Sequence, residues 1–265
     1  MSTPLVRIAG SEPAGPGLSS ASNHFGSDVR CQLLAALRSV GIAVPASCWG
    51  IRPSEQDAPL GPSAIIGRSV DGLASGGHQL VVAGGQPGAG KTTYCAEIAK
   101  ALDALLVLGD WFLIEEDCRP SLGWWDKWNM PLLEAVLAAL LAGGQIEFAP
   151  YDPSARAIGA PVRLAARPGQ VIVAEGVTLL GSHIAVANAS LSLFFDAPEG
   201  IREEREVQRA INDRRYGTAG EGAIRARVRA KYAVETPLLA GFARKADWIV
   251  TTGPGPAVAR PRELH

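Results

Sequence analysis

The octapeptide Gly85-Gln86-Pro87-Gly88-Ala89-Gly90-Lys91-Thr92 matches the spacing G-x-x-x-x-G-K-[ST]. Its glycines let the backbone wrap closely around phosphate oxygens and turn N–H groups toward them. An apolar stretch precedes it and a helical pattern comes after, so the loop also opens onto a helix N-terminus, which favours negative charge. In such a loop Lys91 reaches the β- and γ-phosphates, and the Thr92 hydroxyl is placed to ligate Mg²⁺. Thr93 comes next, in the first turn. Gly85, Gln86, Pro87, Gly88, Ala89, Gly90, Lys91, Thr92 and Thr93 are therefore the expected contacts to ATP.

Three later features bear on the chemistry a bound nucleotide would undergo. Asp110 ends the apolar run LLVLG (105–109). There it could accept a hydroxyl proton or help hold Mg²⁺; it could equally be a helix cap or a loop acid. Glu175 ends the run VIVA (171–174) and could reach Mg²⁺ directly or through water, or simply be solvated. Arg202, Arg205 and Arg209 recur at i, i+3 and i+7, within about 60° on a helix. Guanidinium groups there suit the charge of a transferring phosphoryl group. The competing reading is a solvated helix in which Glu199, Glu203, Glu204 and Glu206 pair with these arginines.

Short apolar strands alternating with helices must position these groups. Strands are expected at Gln79–Ala83, 105–109, Val171–Ala174, Leu191–Phe195 and Trp248–Thr251. Helices are expected near 29–40, 91–102, 131–141, 199–214 and 221–240. The alternation implies a doubly wound α/β fold, a parallel sheet covered on both faces. Residues 1–28, rich in Ser, Gly, Pro and Ala, read as a flexible lead-in, 29–78 as an N-terminal extension, 79–252 as the nucleotide-binding domain and 253–265 as a tail.

The chain has 265 residues, 47% hydrophobic and 19% charged, with a net charge of −1. No overall field would gather nucleic acid or an anionic membrane, and no apolar run approaches the roughly 20 residues of a spanning helix. The N-terminal stretch lacks a secretory pattern. Cys31, Cys48, Cys95 and Cys118 have irregular spacing, consistent with reduced thiols and a cytoplasmic setting rather than zinc or disulfides. Homo-oligomerisation is left open.

Taken in order, these residues resemble the uridine kinase and phosphoribulokinase group of P-loop kinases over about 79–252. Asp110-Trp111-Phe112 is similar to that group's D-x-F motif, and 131–152, ending Pro150-Tyr151-Asp152, to its helix, glycine turn and P-x-Y-D segment. Residues 171–180 resemble its strand with E-G, 194–215 its arginine-bearing lid, and 245–250 its last strand. The resemblance implies that Asp110 is the general base near Mg²⁺ and that Glu175 joins the metal's surroundings. It implies that Arg202, Arg205 and Arg209 face the phosphates from a helical lid and that Tyr151 lines the acceptor pocket. Asp126 aligns with an acceptor-side carboxylate; Trp111, Trp128 and Arg156 lie in the same region. Leu113 stands where the group has Tyr, and Glu206 where it has an arginine. The expected activity is ATP-dependent phosphorylation of a small-molecule hydroxyl, with a nucleoside-like acceptor leading. Pantothenate, a sugar, glycerate or an antibiotic are the alternatives, and a non-catalytic nucleotide switch is the rival class.

Overall fold

The computed structural model describes residues 7–9, 42–43, 78–213, 215–255 and 257–262. The helix expected over 29–40 and most of the extension lie outside them. The described strands are β1 (Arg7–Ala9), β2 (Ile42–Ala43), β3 (Leu80–Gly85), β4 (Leu105–Leu108), β5 (Gln145–Phe148), β6 (Tyr151–Asp152), β7 (Ala157–Ile158), β8 (Val162–Ala165), β9 (Ile172–Glu175), β10 (Ala189–Asp196), β11 (Trp248–Thr251) and β12 (Ala257–Pro261). The α-helices are α1 (Lys91–Ala101), α2 (Met130–Leu141), α3 (His183–Ala187), α4 (Glu199–Asn212) and α5 (Glu221–Ala240).

The main sheet has the order β2-β12-β11-β10-β3-β9-β4. From β4 to β11 neighbouring strands are parallel, and β12 then runs antiparallel to β11. β12 therefore continues the sheet into the segment read as a tail. The chain leaves β3 on one side for β4 and β9 and later returns to the other side as β10. The end of β3 thus lies at a topological switch point, where open parallel sheets form their ligand crevice.

The alternation of side chains along β3 explains the two-sided burial. Val81 and Ala83 join a core with Cys95 and Ile98 of α1, Leu193 and Phe195. Leu80 and Val82 face the opposite core with Val136 and Leu137 of α2, Ile172 and Phe194. Each face of the sheet is covered by helix, as the near-continuous apolar strands required. The α2 boundaries come from local chemistry. The Asn129 side chain accepts from Leu132 N at 3.1 Å, Pro131 sits in the first turn, and Gly143 supplies a left-handed φ of 73° after the end.

Two smaller sheets are appended: the hairpin β6-β7, and β1-β5-β8, whose β5 and β8 come, like the hairpin, from the chain between α2 and β9. Their strands are short, with few apolar residues, and carry no periodic signal that marks them in the sequence. The helices α4 and α5 form an antiparallel pair with a small core of their own, built on Val207, Ala210, Ile224, Val228 and Tyr232. Among the described residues no helix is long and apolar enough to cross a membrane.

Candidate active site

The loop Gly85–Thr92 runs from the end of β3 into α1 and takes its shape from three glycines with positive φ. Gly85 has φ 130°, Gly88 73° and Gly90 81°. At Gly85 space decides as well: a Cβ would lie 2.1 Å from the Phe195 carbonyl oxygen. Gln86 N donates to that same oxygen at 2.9 Å, fixing the loop to β10. α1 has no side-chain cap at Gly90. The amides of Gly88, Gly90, Lys91, Thr92 and Thr93 consequently donate to no protein acceptor among the described residues. An anion in the loop would satisfy them.

The Lys91 ammonium is buried and donates to Gln86 O at 2.7 Å and Gly85 O at 3.1 Å. Burial lowers its pKa, with Glu175 and then Asp110 opposing the drop. Beside it Thr92 Oγ1 donates to Glu175 Oε1 at 2.9 Å. Glu175 is 5% exposed at the end of β9, the strand between β3 and β4. Burial raises its pKa; Lys91 pulls the other way, and the charge of Asp110 adds to the rise. A solvated role for Glu175 is thus set aside.

Asp110 lies in a single helical turn, Gly109–Phe112, just beyond β4. The turn sits close to the β9 end because Gly109 packs on Gly176, where an added Cβ would meet Gly176 Cα at 2.9 Å. Asp110 is exposed, and no side-chain bond caps its turn. The helix-cap reading therefore has no bond behind it. Thr92, Glu175 and Asp110 offer hard oxygen donors at one end of the sheet, the donor set Mg²⁺ accepts alongside phosphate oxygens. The residues fit that ion.

The three arginines of α4 differ in what they touch. Arg202 is buried at 3% exposure, with Nε donating to Ala197 O at 3.0 Å and its guanidinium 4.8 Å from the Tyr232 ring centre. Its Nη1 also approaches Gln86 Oε1 at 3.4 Å. Arg205 Nη1 donates to Thr252 Oγ1 at 3.0 Å and Gly88 O at 3.2 Å. Arg209 is half exposed and meets Glu206 at 3.3 Å. Only this last contact is of the helical-spacing kind that a solvated helix would show. Glu203 pairs instead with Arg225 and Arg229 of α5, and Glu204 with Arg225. Glu206 takes Lys231 at 3.0 Å. Burial acts to raise the Glu206 pKa, but Lys231 and Arg209 outweigh it and hold it below the usual carboxylate range.

Several loop-holding residues carry no sequence motif. Thr252, just after β11, is 1% exposed; its hydroxyl donates to Ala89 O at 3.1 Å while accepting from Arg205. Tyr232 donates to Pro87 O at 3.4 Å, and Gln86 Nε2 reaches Thr236 O at 3.2 Å. A threonine after the last parallel strand is a weak signal in the sequence. The two α5 contacts have none.

On the other side of Asp110 lies the segment expected to meet an acceptor. Tyr151 is buried, and its strand β6 packs against the Gly109–Phe112 turn. Trp111 is half-buried against Phe148 at 6.3 Å. Trp128 packs on Trp124 at 5.2 Å, Trp124 on Trp125 at 5.0 Å, and Trp125 on Phe242 at 5.3 Å. Those three indoles are engaged with one another. Asp126 is exposed, and Arg156, at φ 58° in the β6-β7 hairpin, forms a two-pronged ion pair with Glu116. Glu115, Glu116, Asp117, Arg156 and Ala157 line an open cleft of about 750 Å³.

No family model matches the chain, and no curated protein does. Solved structures do. A candidate fructose transport system kinase from Silicibacter sp. TM1040 superposes with a TM-score of 0.51 at 20% identity, covering 78% of this chain and 89% of that one. Phosphoribulokinase from Rhodobacter spheroides superposes with a TM-score of 0.50 at 14% identity, covering 70% of this chain and 80% of that one. At these identities the likeness speaks to fold. It is the α/β fold of these P-loop kinases, the fold that the motifs led us to expect.

Proposed function

Starting from that fold, we propose that the chain is an ATP-dependent phosphotransferase acting on a hydroxyl of a small molecule. The observation that carries this reading is the convergence of Lys91, Thr92, Glu175 and Asp110 at the end of β3, β9 and β4, with Asp110 on the side of Tyr151. A nucleotide switch needs the loop but has no use for an uncapped carboxylate at the edge of a second compartment.

In the proposed reaction the free amides of Gly88, Gly90, Lys91, Thr92 and Thr93 and the Lys91 ammonium hold the ATP phosphates. Thr92, Glu175 and Asp110 would hold Mg²⁺, whose charge would offset that of the phosphates. Asp110 accepts the acceptor's hydroxyl proton as that oxygen attacks the γ-phosphorus. The new O–P bond forms as the bond to the β-phosphate oxygen breaks, and ADP leaves. Arg209, the least engaged of the three arginines, supports the transferring charge. Arg202 and Arg205 act by holding the loop. With Trp124, Trp125 and Trp128 packed on one another, the acceptor is proposed as a small alcohol, with a nucleoside as one member of that class.

The test is Asp110→Asn in an ATP-consumption screen across nucleosides, sugars, hydroxy acids and hydroxylated natural products. Wild type should consume ATP with at least one alcohol. The variant should bind ATP as tightly and lose about 10²–10⁴-fold in turnover. Undiminished turnover in the variant, or tight ATP binding with no alcohol ever phosphorylated, would defeat the reading.

A further inference from the structure

The segment between the Gly109–Phe112 turn and α2 holds a cation that the reaction scheme leaves unused. Arg119 lies in a short helical turn, Glu116–Ser121. Its Nε donates to Ile114 O at 2.6 Å, and its guanidinium carbon stands 4.4 Å from the centre of the Tyr151 ring. These two contacts fix the fork in position and orientation. Its Nη2, however, is buried with no hydrogen-bond partner among the described residues. Among the described residues Arg119 also has no ion pair, whereas Arg156 beside it is matched by Glu116 through both prongs.

A guanidinium held against an aromatic face with a buried, unsatisfied N–H is an unusual expense for a fold. Among the described residues the buried cations Lys91 and Arg202 are matched by loop carbonyls and by Ala197 O, and the partly exposed Lys231 by Glu206. The exception stands on the ring of Tyr151, and the strand of Tyr151 packs against the turn that carries Asp110. Planar, two-pronged donation is what carboxylates and phosphates accept best.

We infer that Arg119 is an acceptor-recognition residue and that the acceptor is an anionic alcohol, a hydroxyl compound bearing a carboxylate or phosphate. The inference rests on the phosphotransferase reading for the identity of the site. The anion pairs with the free edge of the Arg119 fork, and Tyr151 backs the guanidinium. The hydroxyl to be phosphorylated is directed toward Asp110. The exposed acids Glu115 and Asp117 nearby set a second condition: the anion is recognised by the fork's geometry, since the surrounding surface does not attract it.

The experiment uses full-length protein saturated with a non-hydrolysable ATP analogue, so that the phosphate loop is already filled. Calorimetry then compares matched pairs: hydroxy acids against their amides, and sugar phosphates against the parent sugars. The expected result is that at least one anionic member binds ten or more times tighter than its neutral partner. Arg119→Met should remove about a hundredfold of that affinity and leave the analogue's own binding unchanged. Arg119→Lys should restore part of it. The carboxylate and phosphate arms tell the two anions apart. Equal binding of charged and neutral partners by wild type, tighter binding of neutral or cationic alcohols, or an Arg119→Met variant with intact discrimination would overturn the inference. Because the assay reads binding, it decides this point even if no turnover is found. Discrimination without turnover would count against the kinase reading and leave Arg119 standing as an anion site.

Discussion

Thr252 offers a sharp test of how the phosphate loop is held. Its hydroxyl donates to Ala89 O at 3.1 Å and accepts from Arg205 Nη1 at 3.0 Å, in a site where the residue is 1% exposed. Thr252→Val keeps the shape and removes both bonds, so no cavity term enters. A neutral buried bond contributes about 0.5–1.5 kcal/mol and a charge-assisted one about 1.5–3 kcal/mol. Arg205 Nη1 retains Gly88 O at 3.2 Å, so the lower part of that range applies. The expected loss is about 2–3 kcal/mol, read by urea unfolding, and ATP affinity should fall about tenfold as the loop loses its anchor at Ala89. Thr252→Ser keeps both bonds and loses one buried methyl, about 0.8 kcal/mol. The order of stability is therefore wild type, Ser, Val. A valine variant as stable as wild type, or a serine variant no better than valine, would refute the argument by showing that the hydroxyl is not what holds the loop.

Two further outcomes concern the same site. Gly85→Ala places a Cβ 2.1 Å from the Phe195 carbonyl oxygen, a backbone atom that cannot rotate away, so the variant should fail to fold or unfold with a large loss in Tm; calorimetry showing a wild-type transition would contradict the close approach of β3 and β10. Glu206→Gln should be less stable than wild type at pH 7, with the gap closing in acid. The folded pKa of Glu206 lies below the ordinary value of 4.5. Between the two values the unfolded chain binds more protons, so stability rises with pH there and is lost as pH falls through the folded value. Urea midpoints of the two proteins that stay equally far apart at pH 7 and pH 3 would show that the Glu206 charge contributes nothing.

The parallel strands β3, β4, β9, β10 and β11 and the helices α1, α2 and α4 were legible because each obeys a strong local rule. β3 and β9 are buried on both faces, β3, β4, β9 and β11 read as short apolar runs, and β10 over 191–195 as one broken only by Ser192. α2 announces itself with Asn129, Pro131 and Gly143. The loop was legible because its glycines answer to backbone geometry that little else allows. What stayed hidden depends on contacts between distant segments. β5 to β8 have too few residues to show a period, and β12 reads as a polar tail until β11 is placed beside it. Arg202, Arg205 and Arg209 look equivalent along the helix, because a pattern of 3.6 residues cannot tell a guanidinium bound to Ala197 O from one left at the surface. Thr252 and Tyr232 matter through partners 163 and 145 positions away in the chain, and no window reaches across such gaps.

The helix pair α4–α5 has an apolar seam of its own, built on Val207, Ile224, Val228 and Tyr232 and clasped outside by Arg225, Arg229 and Lys231. The hydrogen bonds that join it to the loop and to the end of β11 run instead through Gln86, Pro87, Gly88 and Thr252. Such a joint is wettable. Parting it would hand carbonyls, hydroxyls and guanidinium groups to water, which can serve them, and would bare little oil. A shift of the pair away from the phosphate loop would therefore trade these polar contacts for water and leave the pair's own apolar seam closed.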